Sequence, residues 1–350
     1  MRLIRIIFIL LIPIHLYGQQ EQVSLLFVGD LMQHQAQIDA ALRSDSSYDY
    51  SHCFSLVKKR ISHADLAIGN LEVTLGGKPY RGYPQFSAPD EYLYAIKDAG
   101  FDILATANNH SLDRRSKGLE RTIALIDSIG LTAVGTYRNA NERTQRYPLL
   151  VEKKGIRIAL LCGTYGTNGI STTPPNIVNN ILRKELAIDI HTARTMKPDV
   201  IIAIMHWGNE YQRYPNDEQR NLALWLISQG VDHIIGSHPH VVQPIELIPH
   251  AEYPTQHAVI YSLGNYVSNM SIPHSDVGLS VELVIEKIGA TTRLKELIPH
   301  FVWTERATLS HTNDFRIIPE DTIPTDLTPD VRQRLQRAIN TEKQLLKEQK

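Results

Sequence analysis

Short apolar runs recur along the chain as far as residue 235, and each is bounded by glycine or by polar residues. Their branched side chains are typical of strands buried in a parallel sheet. Such strands are predicted at 23–28, 64–68, 101–105, 156–161, 200–204 and 231–235. Between them, apolar residues at helical spacing predict helices at 35–43, 52–62, 90–99, 117–129, 180–197 and 217–229. Strands that alternate with helices predict an α/β fold.

The pattern changes after residue 240, where strands follow one another without helices between them. These strands are predicted at 241–248, 257–263, 277–286 and 291–303. An alternating half followed by a β-rich half predicts a β-sandwich with helices on its outer faces. Because no repeat or flexible linker divides the chain, residues 19–305 are predicted to form one domain. Residues 306–350 are predicted to form a C-terminal extension that ends in an amphipathic helix at 328–349.

The first 18 residues combine a basic start, an apolar core and a small final residue, Gly18. This pattern predicts a secretory signal peptide, and its apolar stretch is short for a bilayer span. The alternative is an uncleaved anchor. We therefore expect an exported protein, periplasmic or extracellular, with no membrane span after cleavage.

Charge and cysteine content narrow the possible partners. The chain has 36 basic and 37 acidic residues and a net charge of −1 at pH 7. Such a balance argues against general binding of nucleic acid. Cys53 and Cys162 could pair in an exported protein, but two buried free thiols are the preferred prediction.

Side chains able to bind a metal follow five of the predicted strands. The most informative segment is Gly236-Ser-His-Pro-His240, which follows the strand at 231–235. The remaining candidates are Asp30 with His34 beyond it, Glu72, Asn109 with His110, and His206. Because parallel strands present their carboxyl ends at one edge of a sheet, we expect these side chains to converge.

The mixture of ligand types indicates which metals would bind. Oxygen and nitrogen donors without a thiolate favour Zn, Mn or Fe over Ca or Mg. Taken singly, Asp30 and Glu72 are typical of helix caps or turn carboxylates. Asn109 could occupy a left-handed turn, and His110 could lie on the surface. Taken together, they favour a shared metal site with one or two ions.

Six motifs in this order resemble the CapA family, which is associated with capsule and poly-γ-glutamate synthesis. They are Gly-Asp-Leu-Met, Asn-Leu-Glu, Ala-Asn-Asn-His-Ser-Leu-Asp, His-Trp-Gly-Asn-Glu-Tyr, Gly-Ser-His-Pro-His and Tyr-Ser-Leu-Gly-Asn-Tyr, within residues 23–305. The family belongs to the calcineurin-like metallophosphoesterase superfamily. The resemblance implies a four-layer α/β/β/α sandwich with a metal centre at one edge.

Transferred to this chain, the resemblance implies a role for each ligand. Asp30 and His240 would hold one metal, and Glu72 would bridge. Asn109, His206 and His238 would hold the second metal, and His110 would be the proton donor beside the leaving atom. Two positions depart from the wider superfamily. Met32 stands where many members carry a histidine, so His34 is an alternative ligand, and Glu72 replaces a bridging aspartate.

Further residues are expected to surround the centre. Asp113 could orient His110 through its second ring nitrogen, or it could cap the helix that follows. The family's Tyr-Gly-Thr-Asn-Gly loop suggests substrate contacts by Tyr165 and Asn168, although a tight turn explains its glycines equally well. Glu210 is placed for an outer role, and Asn265 could bind substrate or close a turn.

These observations predict a metal-dependent hydrolase that acts on an anionic cell-surface polymer or its precursor. The bond would be a phosphoester or a γ-glutamyl amide. The alternative is a non-catalytic, metal-binding accessory protein for polymer synthesis or export, working beside a membrane synthase. His110 favours the enzyme, because a purely structural site has no evident use for it, whereas Met32 favours the accessory protein.

Overall fold

The computed structural model describes residues 20–250, 255–310 and 313–348. The predicted signal peptide lies outside the described residues. The helices are α1 Gln35–Ala41, α2 Ser51–Phe54, α3 Lys58–His63, α4 Asp90–Ala99, α5 Arg115–Ser128, α6 Ala140–Arg146, α7 Arg183–Thr195, α8 Asp217–Ser228 and α9 Pro329–Lys347. Among the described residues, no helix is both long and apolar enough to cross a lipid bilayer.

Within the described part of the chain, the strands form two large sheets and one small one. The strands are β1 Gln20–Leu31, β2 Leu66–Leu71, β3 Ile103–Ala105, β4 Thr132–Val134, β5 Thr136–Tyr137, β6 Leu149–Lys153, β7 Ile156–Thr164, β8 Ile177–Val178, β9 Val200–His206, β10 His233–Ser237, β11 Ile245–Pro249, β12 Gln256–Ile260, β13 Asn265–Val267, β14 Val277–Ile288, β15 Thr291–Glu305 and β16 Arg316–Pro319.

The first sheet has the order β16-β15-β14-β1-β2-β3-β4, and β13 also pairs with β1. Its strands β1 to β4 are parallel, whereas β14 to β16 are antiparallel. The second sheet has the order β11-β12-β10-β9-β7-β6, with β7, β9, β10 and β12 parallel. β5 and β8 form a separate pair.

The alternation of side chains along β1 shows how the layers pack. Leu25 and Phe27 belong to the same buried cluster as Leu160 and Ile202 of the second sheet, and helices α7 and α8 add Ile190 and Leu226 to it. The intervening residues Leu26 and Val28 instead join the cluster that holds Phe54 and Tyr92 of α2 and α4. This period of two places one face of the first sheet against the second sheet and the other against helices. The predicted α/β sandwich flanked by helices is confirmed.

An aspartate stands immediately before several parallel strands and joins each to its neighbour. The carboxylate accepts a hydrogen bond from a backbone N–H near the start of the adjacent strand. Among the described residues the pairs are Asp65 with Ser24 at 3.0 Å, Asp102 with Ala67 at 2.9 Å, Asp199 with Arg157 at 2.8 Å and Asp232 with Ile201 at 2.7 Å. These bonds fix the strands relative to one another at their amino ends, so their carboxyl ends also align.

Two local expectations are corrected. The predicted helix at 52–62 is two short helices, α2 and α3, separated by a turn. The predicted strand at 241–248 begins only at Ile245. Pro244 has no N–H to give to a ladder, and the residues before it continue the loop that carries His240.

The described residues of the segment 306–350 pack against the rest of the fold. β16 pairs with β15 in antiparallel register at the edge of the first sheet. Thr328 is the N-cap of helix α9, and its hydroxyl accepts the N–H of Val331. The helix buries Leu335 and Ile339 in the cluster that holds Leu25 and Leu160. Cys53 and Cys162 are both buried free thiols, as predicted. Burial raises the pKa of Cys162 to about 12, so its reactive thiolate is scarce.

Candidate metal centre

The predicted ligands lie together where the carboxyl ends of both sheets meet. Asp30 is near the end of β1, Glu72 follows β2, and Asn109 follows β3. His206 ends β9, and His238 and His240 follow β10. Every one of these side chains is buried, with His238 and its five companions at 3% exposure or less.

Close backbone approaches bring two of the carboxyl ends to this edge. A β-bulge interrupts β1 before Asp30, whose N–H donates to the carbonyl oxygen of Gly264 at 2.9 Å. A Cβ on Gly29 would overlap that same carbonyl oxygen. Gly236 is required for the corresponding reason, because a Cβ there would overlap the carbonyl oxygen of Tyr261. Glycine at both positions allows the backbones to meet.

The turn that carries the paired histidines is strained. His238 has φ +98° and His240 has φ +60°, in the left-handed region that residues with a Cβ seldom adopt. Such conformations cost on the order of 1–3 kcal/mol each and are concentrated at functional sites. The strain is consistent with a turn shaped to aim both imidazoles at the centre.

Glu72 occupies the middle of the cluster. Its Oε1 lies 3.7 Å from Nε2 of His206 and 3.7 Å from Nε2 of His240. Two groups of potential ligand atoms, each within 4.8 Å of one another, share this carboxylate: Glu72 with His238 and His240, and Glu72 with Asp30 and His206. A shared carboxylate agrees with a bridging position, but these groups divide the histidines differently from the resemblance. The assignment of ligands to individual ions stays a prediction.

Hydrogen bonds orient the ligands on both sides of Glu72. Nδ1 of His240 lies 3.1 Å from Oδ2 of Asp30 and 3.0 Å from Oδ1 of Asn265. Nε2 of His206 lies 2.8 Å from Oδ1 of Asn109, and its Nδ1 lies 3.0 Å from the hydroxyl of Ser237. Asn265 therefore contacts a predicted ligand directly, as well as following a turn.

His110 is held beside the cluster by Asp113. Its Nδ1 lies 2.7 Å from Oδ2 of Asp113, and the same oxygen accepts the N–H of Phe86 at 2.7 Å. The N-cap of α5 is Arg114, whose side chain makes no capping hydrogen bond, and the observed hydrogen bonds of Asp113 go to Phe86 and His110 and not to that helix. Of the two roles expected for Asp113, the contact with His110 is the one observed, and the helix cap is wrong.

The electrostatics of the cluster match a site for a cation. Burial, with the charge of Asp30 next, raises the pKa of Glu72 well above its ordinary value. Burial and neighbouring imidazoles lower the pKa of His206 well below its usual range and that of His238 to about 3. Neutral imidazole is the form that binds metals.

The donor atoms also meet the requirements of a divalent transition metal. Oε1 of Glu72 and Nδ1 of His238 are buried and have no hydrogen-bond partner among the described residues. Buried polar atoms without partners are costly, and a cation between them would compensate both. The residues present therefore fit one or two divalent ions with oxygen and imidazole ligands.

The match to known families agrees with this arrangement. Residues 24–270 match the family described as Bacterial capsule synthesis protein PGA_cap. The chain belongs to this family.

Two relatives of this chain have related names. The chain is 28% identical over 263 residues to the Capsule biosynthesis protein CapA of Bacillus anthracis, covering 72% of this chain and 61% of that protein. It is 26% identical over 273 residues to the PGA biosynthesis protein CapA of Bacillus subtilis (strain 168), covering 75% and 68% respectively. The chain thus spans less than two thirds of the first relative's length.

The fold of this chain is shared with a solved structure. NAD nucleotidase (NadN) of Haemophilus influenzae superposes with a TM-score of 0.52 at 11% identity, covering 92% of this chain and 63% of that one. The fold is that of the calcineurin-like metallophosphoesterases. The predicted family is confirmed by the family match, and the likeness to this solved structure shows a shared fold.

Met32 and His34 occupy different surroundings in this member of the family. Met32 is fully buried in the apolar cluster between the first sheet and its helices. His34 is the N-cap of α1, and its Nδ1 lies 3.3 Å from the N–H of Asn269 and 3.2 Å from Oε1 of Gln37. It belongs to neither group of potential ligand atoms described above. Its surroundings favour the helix-start role among the two expected.

Sequence reasoning missed Asn70 as a member of the site. Its Nδ2 donates to Oδ1 of Asp30 at 2.7 Å and to Oε2 of Glu72 at 3.2 Å, and lies 3.4 Å from Nδ1 of His206. Asn70 thus holds two carboxylates together. The signal was available, because residues two apart at a strand end point to the same face of a sheet.

The outer part of the site is aromatic on one side. Tyr165 is 50% exposed, and its ring centroid lies 4.5 Å from that of His238 and 6.2 Å from that of His206. Oδ1 of Asn168 accepts from Asn109 at 3.2 Å. Glu210 is exposed, and its charge contributes to raising the pKa of Glu72 and of Tyr165, so it lies near both. Tyr165, Asn168 and Glu210 therefore border the ligand cluster.

Proposed function

We propose that this chain is an exported metal-dependent hydrolase that acts on an anionic cell-surface polymer or its precursor. The bond would be a phosphoester or a γ-glutamyl amide. The observation that carries the proposal is the pair His110 and Asp113 beside the ligand cluster. A site that only stabilised the fold would need ligands but no oriented imidazole next to them.

The ligand set proposed for the centre is Asp30, Glu72, Asn109, His206, His238 and His240, holding one or two ions of Zn, Mn or Fe. Bound there, such an ion would polarise a substrate oxygen and activate water. The chain keeps the ligands in place with its own hydrogen bonds: Asn70 joins Asp30 to Glu72, and Ser237 contacts His206.

His110 supplies the proton chemistry in this proposal. With Nδ1 directed at Asp113, Nε2 is the ring atom left to give a proton to a leaving group. Asp113 fixes the plane of the ring and accepts the proton of Nδ1 in a hydrogen bond, so the donor form of His110 is the imidazolium, which carries a second proton on Nε2. The ring of Phe86 packs edge-on against the imidazole at a centroid distance of 4.6 Å, which keeps water away from that side.

Substrate contacts are proposed for Tyr165, Asn168, Glu210 and Asn265. Tyr165 presents a half-exposed ring whose centroid lies 4.5 Å from that of the His238 imidazole. The carboxylate of Glu210 would repel an anionic group, so its proposed contact is with an uncharged part of the substrate. Recognition of an anionic group is therefore assigned to the metal ions, and recognition of the neighbouring unit to the tyrosine.

The names of the relatives support a role in polymer metabolism. Both carry CapA in their names, one with capsule biosynthesis and one with PGA biosynthesis. We propose by analogy that the substrate is a capsule-type or poly-γ-glutamate-type polymer and that a membrane synthase complex is a partner. Export follows from the predicted signal peptide, and nucleic acid is not among the proposed partners.

One observation favours a second candidate, a non-catalytic accessory protein that binds metal. Met32 is buried among apolar side chains, so the position that many metallophosphoesterases use for a histidine ligand supplies none here. A centre with one ligand fewer would bind its first ion weakly. Such a protein would handle or export the polymer without cleaving it.

The test begins with the metal content of the mature protein, measured by mass spectrometry after reconstitution with Mn or Zn. We expect one or two ions in the wild type and their loss in the double variant His238→Ala, His240→Ala. The control is His52→Ala with His191→Ala, which removes two exposed histidines elsewhere. Absence of bound metal from the reconstituted wild type would overturn the proposal of a metal-dependent hydrolase.

A hydrolysis screen then separates the two candidates. Phosphoesters and γ-glutamyl oligomers are supplied to the metal-loaded protein and to His110→Ala. If the chain is a hydrolase, the wild type cleaves one of the two classes of substrate. His110→Ala then retains its metal but loses that activity. If the metal-loaded wild type cleaves neither class yet binds the polymer, the accessory protein is the better account.

A further inference from the structure

The C-terminal helix α9 lies beyond the residues that match the family, yet it buries a carboxylate. Glu342 is on α9, and its side chain is 1% exposed. Its Oε2 accepts from Nη2 of Arg213 at 3.0 Å, and its Oε1 lies 2.7 Å from Nδ1 of His274. A buried carboxylate needs such partners, because desolvation otherwise makes its charge costly.

Arg213 belongs to the loop between β9 and α8, which begins directly after His206. Two residues earlier, the N–H of Tyr211 donates to the carbonyl oxygen of Pro239 at 2.8 Å. The ring of Tyr211 lies 6.1 Å from that of His240. This loop therefore braces the His238–His240 turn from one side.

His274 belongs to the loop between β13 and β14, which reaches the same turn through Asn265. The next residue, Ser275, accepts a hydrogen bond from Nδ2 of Asn265 at 3.0 Å through its carbonyl oxygen. Oδ1 of Asn265 lies 3.0 Å from Nδ1 of His240. His274 is thus one residue away from a direct hydrogen-bonded path to a predicted ligand.

We propose that Glu342 is a positioning residue of the metal centre. It joins the two loops that brace the His238–His240 turn, so the C-terminal helix is part of the apparatus that aims these imidazoles. The turn needs such support because both histidines have positive φ. This proposal rests on the proposed metal site, but its mechanical part, the coupling of two loops through one carboxylate, can be tested without any metal.

The first experiment is amide hydrogen exchange of the full-length, metal-free protein, compared between wild type and Glu342→Ala. We expect faster exchange in both loops and in the turn, above all at the amide of Tyr211. Lys343→Ala is the matched control, because Lys343 is the next residue on α9 and pairs with Glu320 instead. Unchanged exchange in both loops of Glu342→Ala would overturn the proposal.

Substitution of each partner of Glu342 tests the two loops separately. Arg213→Ala should loosen the loop between β9 and α8 alone, and His274→Ala the loop between β13 and β14 alone. If Glu342→Ala fails to fold, Glu342→Gln replaces it, since it keeps the side-chain shape and removes the charge. Equal loosening of both loops by Lys343→Ala would show general destabilisation and would also overturn the proposal.

The second experiment measures the dissociation constant of Mn or Zn for the same variants. We expect Glu342→Ala to weaken metal binding about tenfold, the low end for residues that support a ligand. Lys343→Ala should leave the constant unchanged at a comparable unfolding midpoint. A wild type that binds no metal would refute the proposed function, whereas the exchange result would still decide the role of Glu342.

Discussion

Nδ1 of His110 lies 2.7 Å from Oδ2 of Asp113, and that oxygen also accepts the backbone N–H of Phe86. One carboxylate oxygen thus fixes both the imidazole and the segment whose aromatic ring packs against it. The other oxygen, Oδ1, is buried and has no hydrogen-bond partner among the described residues. A substitution at Asp113 can therefore remove the charge of the side chain and keep both of its hydrogen bonds.

Asp113→Asn is expected to lower kcat for hydrolysis by about 10- to 100-fold. Its amide oxygen can take the place of Oδ2 and keep both hydrogen bonds, so the loss reports the missing charge. Asp113→Ala also releases the imidazole, and a loss of about 10²- to 10⁴-fold is expected. Steady-state kinetics at matched metal content make the comparison. Wild-type kcat in both variants would remove Asp113 from the proposed chemistry.

Glu72→Gln is expected to affect metal binding and apoprotein stability in opposite directions. It removes the carboxylate shared by both groups of ligand atoms, so the metal dissociation constant should rise at least tenfold. In the presence of a chelator, the variant should be more stable by about 1–2 kcal/mol, because a buried carboxylate no longer faces that of Asp30.

Metal titration and chelated thermal unfolding test this pair of effects. Glu210→Gln is the control, since Glu210 is an exposed carboxylate at the same site and is not a proposed ligand. It should retain its metal. A Glu72→Gln variant that binds metal like the wild type would show that the carboxylate does not bridge.

The strand ends that carry the metal ligands were predictable because a single local rule places them. Asp30, Glu72 and His206 each follow a short apolar run, and parallel strands deliver such residues to one edge. Asn70 follows the same rule, because it lies two residues before Glu72 at the end of β2 and shares its face of the sheet. The sandwich was predictable for the same reason, since the strand and helix periods are local properties of the chain.

The bracing of the site could not be predicted in this way. Glu342 meets Arg213 and His274 only through the packing of α9, and the sequence separations of 129 and 68 residues carry no periodic signal. The strand predicted at 241–248 begins later than expected. Val241 and Val242 have the apolar pattern of a strand, but they belong to the loop that carries His240. Tertiary contacts decide the first feature, and the loop at His240 together with Pro244 decides the second.

Asp232 is expected to make stability depend on pH away from the metal centre. Burial raises its pKa from 3.8 to about 6, against the opposing effect of the N–H of Ile201. The folded chain therefore holds this proton between about pH 4 and 6 while the unfolded chain loses it. The stabilising effect of the neutral form is present below pH 4 and is lost as the pH rises through 6, an effect of at most about 3 kcal/mol.

Asp232→Asn keeps an oxygen for the N–H of Ile201 and cannot ionise. Its unfolding free energy relative to wild type should therefore increase from pH 4 to pH 6 and level off above that. Asp102→Asn is the matched control, since Asp102 makes the same kind of bond to Ala67 at 2.9 Å. Denaturant unfolding at a series of pH values measures both. A difference between Asp232→Asn and wild type that does not vary with pH would contradict the raised pKa.

Tyr165 is expected to act on the substrate and not on the metal. Its ring is half exposed above His238, and the N–H of Tyr165 donates to the carbonyl oxygen of His206. Truncation to alanine removes the ring but leaves this backbone bond. Tyr165→Ala should therefore raise KM about tenfold with metal content unchanged, which is the signature of lost ground-state binding.

Tyr165→Phe distinguishes the ring from its hydroxyl, which interacts with Asn109. If Tyr165→Phe has the KM of the wild type, the aromatic face recognises the substrate. If its KM is as high as that of Tyr165→Ala, the hydroxyl does. Tyr214→Ala is the control, because Tyr214 is a tyrosine of similar exposure, at 56%, in the loop between β9 and α8. A Tyr165→Ala variant with lower metal content and unchanged KM would contradict this prediction. The tyrosine would then support His206 and His238, because a residue that binds only substrate cannot affect metal retention when no substrate is present.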